Sequence, residues 1–83
     1  MKNPAAVRAF GAHLRRLRLA RGWSLEELAL AAMLSLVTVH RVETAKSVAT
    51  LDVLLSLARA LGVTVKELVD CAEMEQANQV GPA

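Results

Sequence analysis

Apolar residues recur at helical spacing along most of the chain, and the breaks in that spacing coincide with capping residues. Phe10, Leu14 and Leu17, spaced i, i+4, i+7, predict the buried stripe of a first helix. Asn3 is a good N-cap for it, Pro4 suits its first position, and Gly22 ends it in a left-handed conformation. Leu28, Ala31 and Ala32 predict a second helix, capped by Ser24, with Glu27 three residues on completing a capping box. The pattern stops at Met33-Leu34-Ser35. Ser35 then caps a third helix over 36–44, in which Val39 and Val42 face inward and Leu36, Val37, Thr38, His40 and Arg41 face outward. Residues 45–49 read as a loop. Thr50 caps a fourth helix with Asp52 in its first turn and Leu51, Leu54, Leu57, Ala58 and Leu61 as its core stripe, and Gly62 stops it. A second capping box, Thr64 to Glu67, opens a fifth helix whose Leu68 and Val69 pack inward. One domain is expected over residues 1–76, followed by a flexible tail over 77–83 that has little to bury.

The second and third predicted helices are short, amphipathic and joined by a tight turn. That combination is a helix-turn-helix, a unit whose second helix can enter the major groove of DNA.

Composition agrees with an all-α domain: 54% of the 83 residues are hydrophobic and only 2% are aromatic. The net charge of +2 conceals a polar distribution. Residues 1–21 carry Lys2, Arg8, Arg15, Arg16, Arg18 and Arg21 with no acid, whereas residues 47–83 set Arg59 and Lys66 against Asp52, Glu67, Asp70, Glu73 and Glu75. One end should attract polyanions and the other should not. No apolar run is long enough to span a bilayer, and the N-terminus lacks the apolar segment of a signal peptide. Cys71 stands alone, which rules out an internal disulfide and makes a cytoplasmic setting the simplest expectation.

The stretch from Phe10 to Val69 resembles the Cro/cI-type helix-turn-helix domain of phage repressors and XRE-family bacterial regulators. The resemblance is carried by Leu14, Leu17-Arg18, Gly22-Trp23-Ser24, Glu27-Leu28-Ala29, Leu34-Ser35, Val39, Arg41-Val42-Glu43 and the run from Thr50-Leu51 through Leu54-Leu55-Ser56-Leu57-Ala58-Arg59-Ala60-Leu61-Gly62-Val63. It implies a compact, five-helix, lambda-repressor-like fold and a sequence-specific DNA-binding regulator acting as a homodimer on a palindromic operator. It also implies that Arg18 pairs with Glu43, because family members join an Arg of the first helix to a Glu at the end of the recognition helix. The chain departs from the family at four places: Met33 replaces the usual Gly of the turn, Leu25 the usual Gln, Thr44-Ala45 a Gly or Asn, and Ala49 a Pro.

On this reading the base contacts are Leu36, Val37, Thr38 and Arg41, with Arg41 suited to guanine and the other three to thymine methyls. Phosphate contacts are expected from Arg15, Ser24, Leu25, Ser35, His40, Lys46 and Ser47. The apolar outward face of Leu25, Leu30, Met33, Leu36 and Val37 leaves a second possibility, a protein-interaction module or antitoxin-like subunit with weak DNA binding. Leu55, Val69, Cys71, Ala72 and Met74 are the apolar side chains available for a two-fold contact. Cys71, His13 and His40 lack metal-ligand spacing, Ser24, Ser35 and Thr50 are explained as caps, and no Ser or Cys has a His beside it, so neither a metal, a cofactor nor an enzyme is expected.

Overall fold

A computed structural model describes residues 3–71. The elements are α1 (Pro4–Ala20), α2 (Leu25–Ala32), α3 (Leu36–Glu43), α4 (Leu51–Leu61) and α5 (Val65–Leu68), with no strand among the described residues. Each helix begins at the expected cap. The side chains of Asn3, Ser24, Ser35, Thr50 and Thr64 accept from the amides of Ala6, Glu27, Thr38, Val53 and Glu67, and the boxes at Ser24–Glu27 and Thr64–Glu67 are both closed. Such caps satisfy amides that a helix cannot satisfy itself.

Four helices end in one geometry, the Schellman motif, in which two amides beyond the last turn reach back to its carbonyls. Trp23 donates to Arg18, Leu34 to Ala29, Lys46 to Arg41 and Val63 to Ala58, at 2.8–3.2 Å. The left-handed residue these motifs require is Gly22 after α1 and Gly62 after α4, but Met33 after α2 (φ 58) and Ala45 after α3 (φ 60). The turn between α2 and α3 therefore keeps the left-handed shape that the family builds with Gly.

The core draws on every helix. Leu14 of α1, Leu28 of α2, Val39 of α3, Leu57 of α4 and Leu68 of α5 have no solvent exposure, and Phe10, Ala29, Ala32, Val42, Ala58 and Leu61 close around them. Full burial of one such side chain stabilises by roughly 1.5–3 kcal/mol before entropy is set against it. α2 packs on α3 and α4, α1 on α3, and α5 on α4.

The structure revises four expectations. Leu51 is not core: it is 67% exposed, because it is the first residue of α4 and projects beyond the neighbouring helices. In α2 the fully buried positions are Leu28, Ala29 and Ala32, with Ala31 only half-buried. The fifth helix is a single turn, with Leu68 buried as expected, and Cys71 beyond it is buried within the monomer and Val69 partly buried against the core rather than free for a partner. The third helix stops at Glu43, and Thr44 serves as its C-cap. Ala72, Met74 and the expected boundary between 76 and 77 lie outside the described residues.

Candidate nucleic-acid interface

α3 is fixed from below. Arg18 of α1 is almost wholly buried, so its guanidinium must find acceptors. Its Nε donates to Glu43 Oε2 at 2.7 Å and its Nη2 to Glu43 Oε1 at 3.0 Å, while Nη1 donates to the Trp23 carbonyl at 2.9 Å. This two-point pairing locks the C-terminal end of α3 to α1 and to the α1–α2 connection. The hydrogen bond to Glu43, reinforced by the carboxylate charge, raises Arg18 above its ordinary pKa against the opposing effect of burial. With Val39 and Val42 in the core, the opposite side of α3 is left to solvent.

That side carries Leu36, Val37, His40 and Arg41, all exposed, and with Leu25 from the start of α2 they line one shallow depression. Two elements thus bring together three of the four residues expected to read bases and two of those expected to touch phosphate. Thr38 is set apart, since its hydroxyl is hydrogen-bonded to Ser35 Oγ at 2.7 Å and it is half-buried. Leu25 is also partly buried against the core, so its side chain is not wholly part of the outward apolar face expected of it.

The remaining polar residues differ in what they have left to offer. The Ser24 amide is already donated to Glu27 Oε1 at 2.9 Å, so the free donors at the start of α2 are the Leu25 and Glu26 amides, which have no intrahelical acceptor. Glu26 and Glu27 stand in that first turn, and their charge opposes an incoming anion. The Ser35 hydroxyl is occupied by the Thr38 amide and hydroxyl. The amides of Lys46 and Ser47 both go to the Arg41 carbonyl, which leaves the exposed Lys46 side chain as the cation of that loop. Lys46 and Ser47 border a separate cleft with Arg8 and Pro4 of α1. Arg15 is exposed on α1.

Two arginines prove structural. Arg21 donates to the Leu61 carbonyl at 2.8 Å, capping the C-terminal end of α4, and stacks over the Trp23 ring at 4.6 Å. Arg59 donates to the Ala32 carbonyl at the end of α2. Of the basic end of the chain, Arg18 and Arg21 are thus engaged by the fold, and Arg8, Arg15 and Arg16 are the exposed cations of α1. No group of metal-ligating side chains occurs among the described residues, and no described helix is long and apolar enough to cross a membrane.

Two helices at a left-handed turn, the second presented outward and pinned by a buried ion pair, define a Cro/cI-type helix-turn-helix domain. The chain belongs to the helix-turn-helix domain family, whose family model matches residues 9–70. Among curated proteins there is no match. Similar solved structures include the following three. The restriction-modification controller protein C.AhdI from Aeromonas hydrophila is 39% identical, with 75% of this chain and 94% of that one covered and a TM-score of 0.72. The clp gene regulator ClgR from C. glutamicum is 28% identical over 94% of this chain and 99% of its own, with a TM-score of 0.75. A hypothetical transcription factor, NHTF, from Neisseria is 25% identical over 95% of this chain and 91% of its own, with a TM-score of 0.76.

Proposed function

We propose that the chain is a sequence-specific regulator of transcription in the cytoplasm that inserts α3 into the major groove of double-stranded DNA, as a homodimer on a palindromic operator. The observation that carries this reading is the solvent-facing side of α3, where Leu36, Val37, His40 and Arg41 serve no purpose in the core while Arg18 and Glu43 hold the helix rigid beneath them. Arg41 is the side chain suited to a guanine edge, and Lys46 and Arg15 are suited to phosphates on either side. The similar structures, a controller protein, a gene regulator and a transcription factor, support the same role.

One recognition helix covers few base pairs, so specific affinity calls for two copies about 34 Å apart. Leu51 and Leu55, one turn apart on α4 and 67% and 50% exposed, are the apolar side chains we assign to the two-fold contact. Selection of bound sequences from random duplexes by the purified protein tests the reading. A palindrome with half-sites one helical turn apart is the expected result, and the absence of any enriched sequence would refute it.

A second reading has its own support: Leu30 and Met33, 81% and 82% exposed beside the turn, are of the kind that marks a protein contact. The two separate by salt, since phosphate binding weakens steeply with ionic strength and apolar contact does not.

A further inference from the structure

The depression bounded by Leu25, Leu36, Val37, His40 and Arg41 has an apolar side and a cationic side. Leu36 and Val37 are 44% and 56% exposed, while the inward positions Val39 and Val42 already anchor α3, so the fold gives no reason for branched aliphatic residues here. In the major groove one base feature is apolar, the 5-methyl group of a pyrimidine. Arg41 lies one helical turn from Val37, close enough for the two to address neighbouring base pairs. Its guanidinium matches the paired O6 and N7 acceptors of guanine.

From this we propose that the depression reads a 5-methylpyrimidine next to a guanine, with the methyl seated against Leu25, Leu36 and Val37 and the guanine held by Arg41. The inference rests on the DNA-binding reading above and sharpens it. Leu25, at the position where the family carries Gln, becomes a specificity-determining residue through its side chain. A contact to the methyl alone does not separate thymine from 5-methylcytosine, so methylation of a cytosine at this position should act as a gain of contact.

The test uses the selected operator duplex and the full-length protein. Each thymine is replaced in turn by deoxyuridine, which removes the methyl and leaves base pairing intact. At a thymine beside the guanine, affinity should fall about fourfold, the effect of one methyl returned to water. A cytosine at that position should bind more weakly than thymine, and 5-methylcytosine should recover part of the loss. In Val37→Ser, and independently in Leu36→Ser, the deoxyuridine penalty should shrink while the slope of affinity against salt stays unchanged. A flat deoxyuridine scan on an operator that binds specifically would overturn the methyl contact alone, as would a penalty that persists undiminished in both variants. Failure to find any specific duplex would remove the DNA-binding reading itself.

Discussion

Gly11 of α1 meets the backbone of Val42 in α3 without a side chain between them: a β-carbon at Gly11 would lie 2.6 Å from the Val42 carbonyl oxygen and equally close to that of Glu43. α1 and α3 touch here backbone to backbone, about two turns of α1 before Arg18, whose partner Glu43 belongs to the same end of α3. In an exposed helix, replacing Gly by Ala would stabilise by about 1 kcal/mol. Here the opposing clash is with carbonyls that cannot rotate aside, and overpacking of that kind costs about 1–3 kcal/mol. Gly11→Ala should therefore lower stability in urea denaturation and weaken DNA binding through a displaced α3. An unchanged or raised midpoint would show that the two helices separate freely.

The Arg18–Glu43 pair should couple strongly. Truncating either partner leaves a charge behind in a nearly closed site, a situation that costs about 3–5 kcal/mol. Arg18→Ala and Glu43→Ala should each destabilise by more than a surface pair would, and the double variant by much less than their sum. Agreement of the double variant with the sum would remove the pair as the anchor of α3.

These two sites differ in how far the sequence reveals them. Caps are local: a hydroxyl or amide side chain reaches an amide three residues on, so Asn3, Ser24, Ser35, Thr50 and Thr64 could be placed from spacing alone. Arg18 was legible as a cation beside an apolar stripe, and its partner followed from family resemblance. Gly11 was not legible, because its role exists only once α3 lies across it. The same holds for Arg21, whose acceptor is 40 residues away, and for Leu51, whose periodicity is right but whose first-turn position has no helix opposite. Of the interface, the outward side of α3 could be read from the inward positions of Val39 and Val42. The use already made of the Ser24 amide could be read too, since the capping box with Glu27 consumes it; that of the Lys46 and Ser47 amides could not, since it depends on how α3 closes.

Met33 and Ala45 offer a gain in stability. Both hold left-handed backbone in the motif that Gly22 and Gly62 supply after α1 and α4, and for a residue with a β-carbon this conformation costs about 1–2 kcal/mol. The Met33 side chain is 82% exposed, so little packing is lost with it. Met33→Gly should raise stability by up to about 1 kcal/mol once the entropy of glycine in the unfolded chain is subtracted. Ala45→Gly should act in the same direction. A lower thermal midpoint for Met33→Gly would mean that its side chain contributes contacts that exposure does not reveal.

Arg41 separates base reading from phosphate attraction. As a guanine contact, Arg41→Ala should cost about 1–3 kcal/mol on the selected operator and relax the preference at one position. Lys46→Ala should instead weaken specific and random duplexes alike and reduce the salt slope by about one. Titrations of both variants against both duplexes at several salt concentrations distinguish the roles. An equal loss on the two duplexes for Arg41→Ala would reassign it to the backbone.

The dimer contact is the last point at which exposure decides between residues. Leu68 and Cys71 are buried within one chain, so a charge introduced at Leu68 would unfold the domain and say nothing about association. Leu51 and Leu55 are exposed at i and i+4 on α4, Leu55 on the flank and Leu51 at the open end of the stripe that Leu57, Ala58 and Leu61 give the core. Val48, 53% exposed in the loop before α4, adds a third apolar side chain close to them in sequence. A two-fold axis through this side would pair each leucine with its counterpart, the self-complementary arrangement of an isologous contact, and would give a small domain further apolar burial. Leu55→Lys should leave the helical spectrum unchanged, because the position is half-exposed in the monomer. It should shift the sedimentation of a micromolar sample from dimer to monomer, and Leu51→Lys should do the same. On DNA, Leu55→Lys should retain half-site binding and lose affinity for the full palindrome. A wild-type chain that sediments as a monomer at micromolar concentration, or a Leu55→Lys variant that remains dimeric, would exclude this side of α4 as the interface.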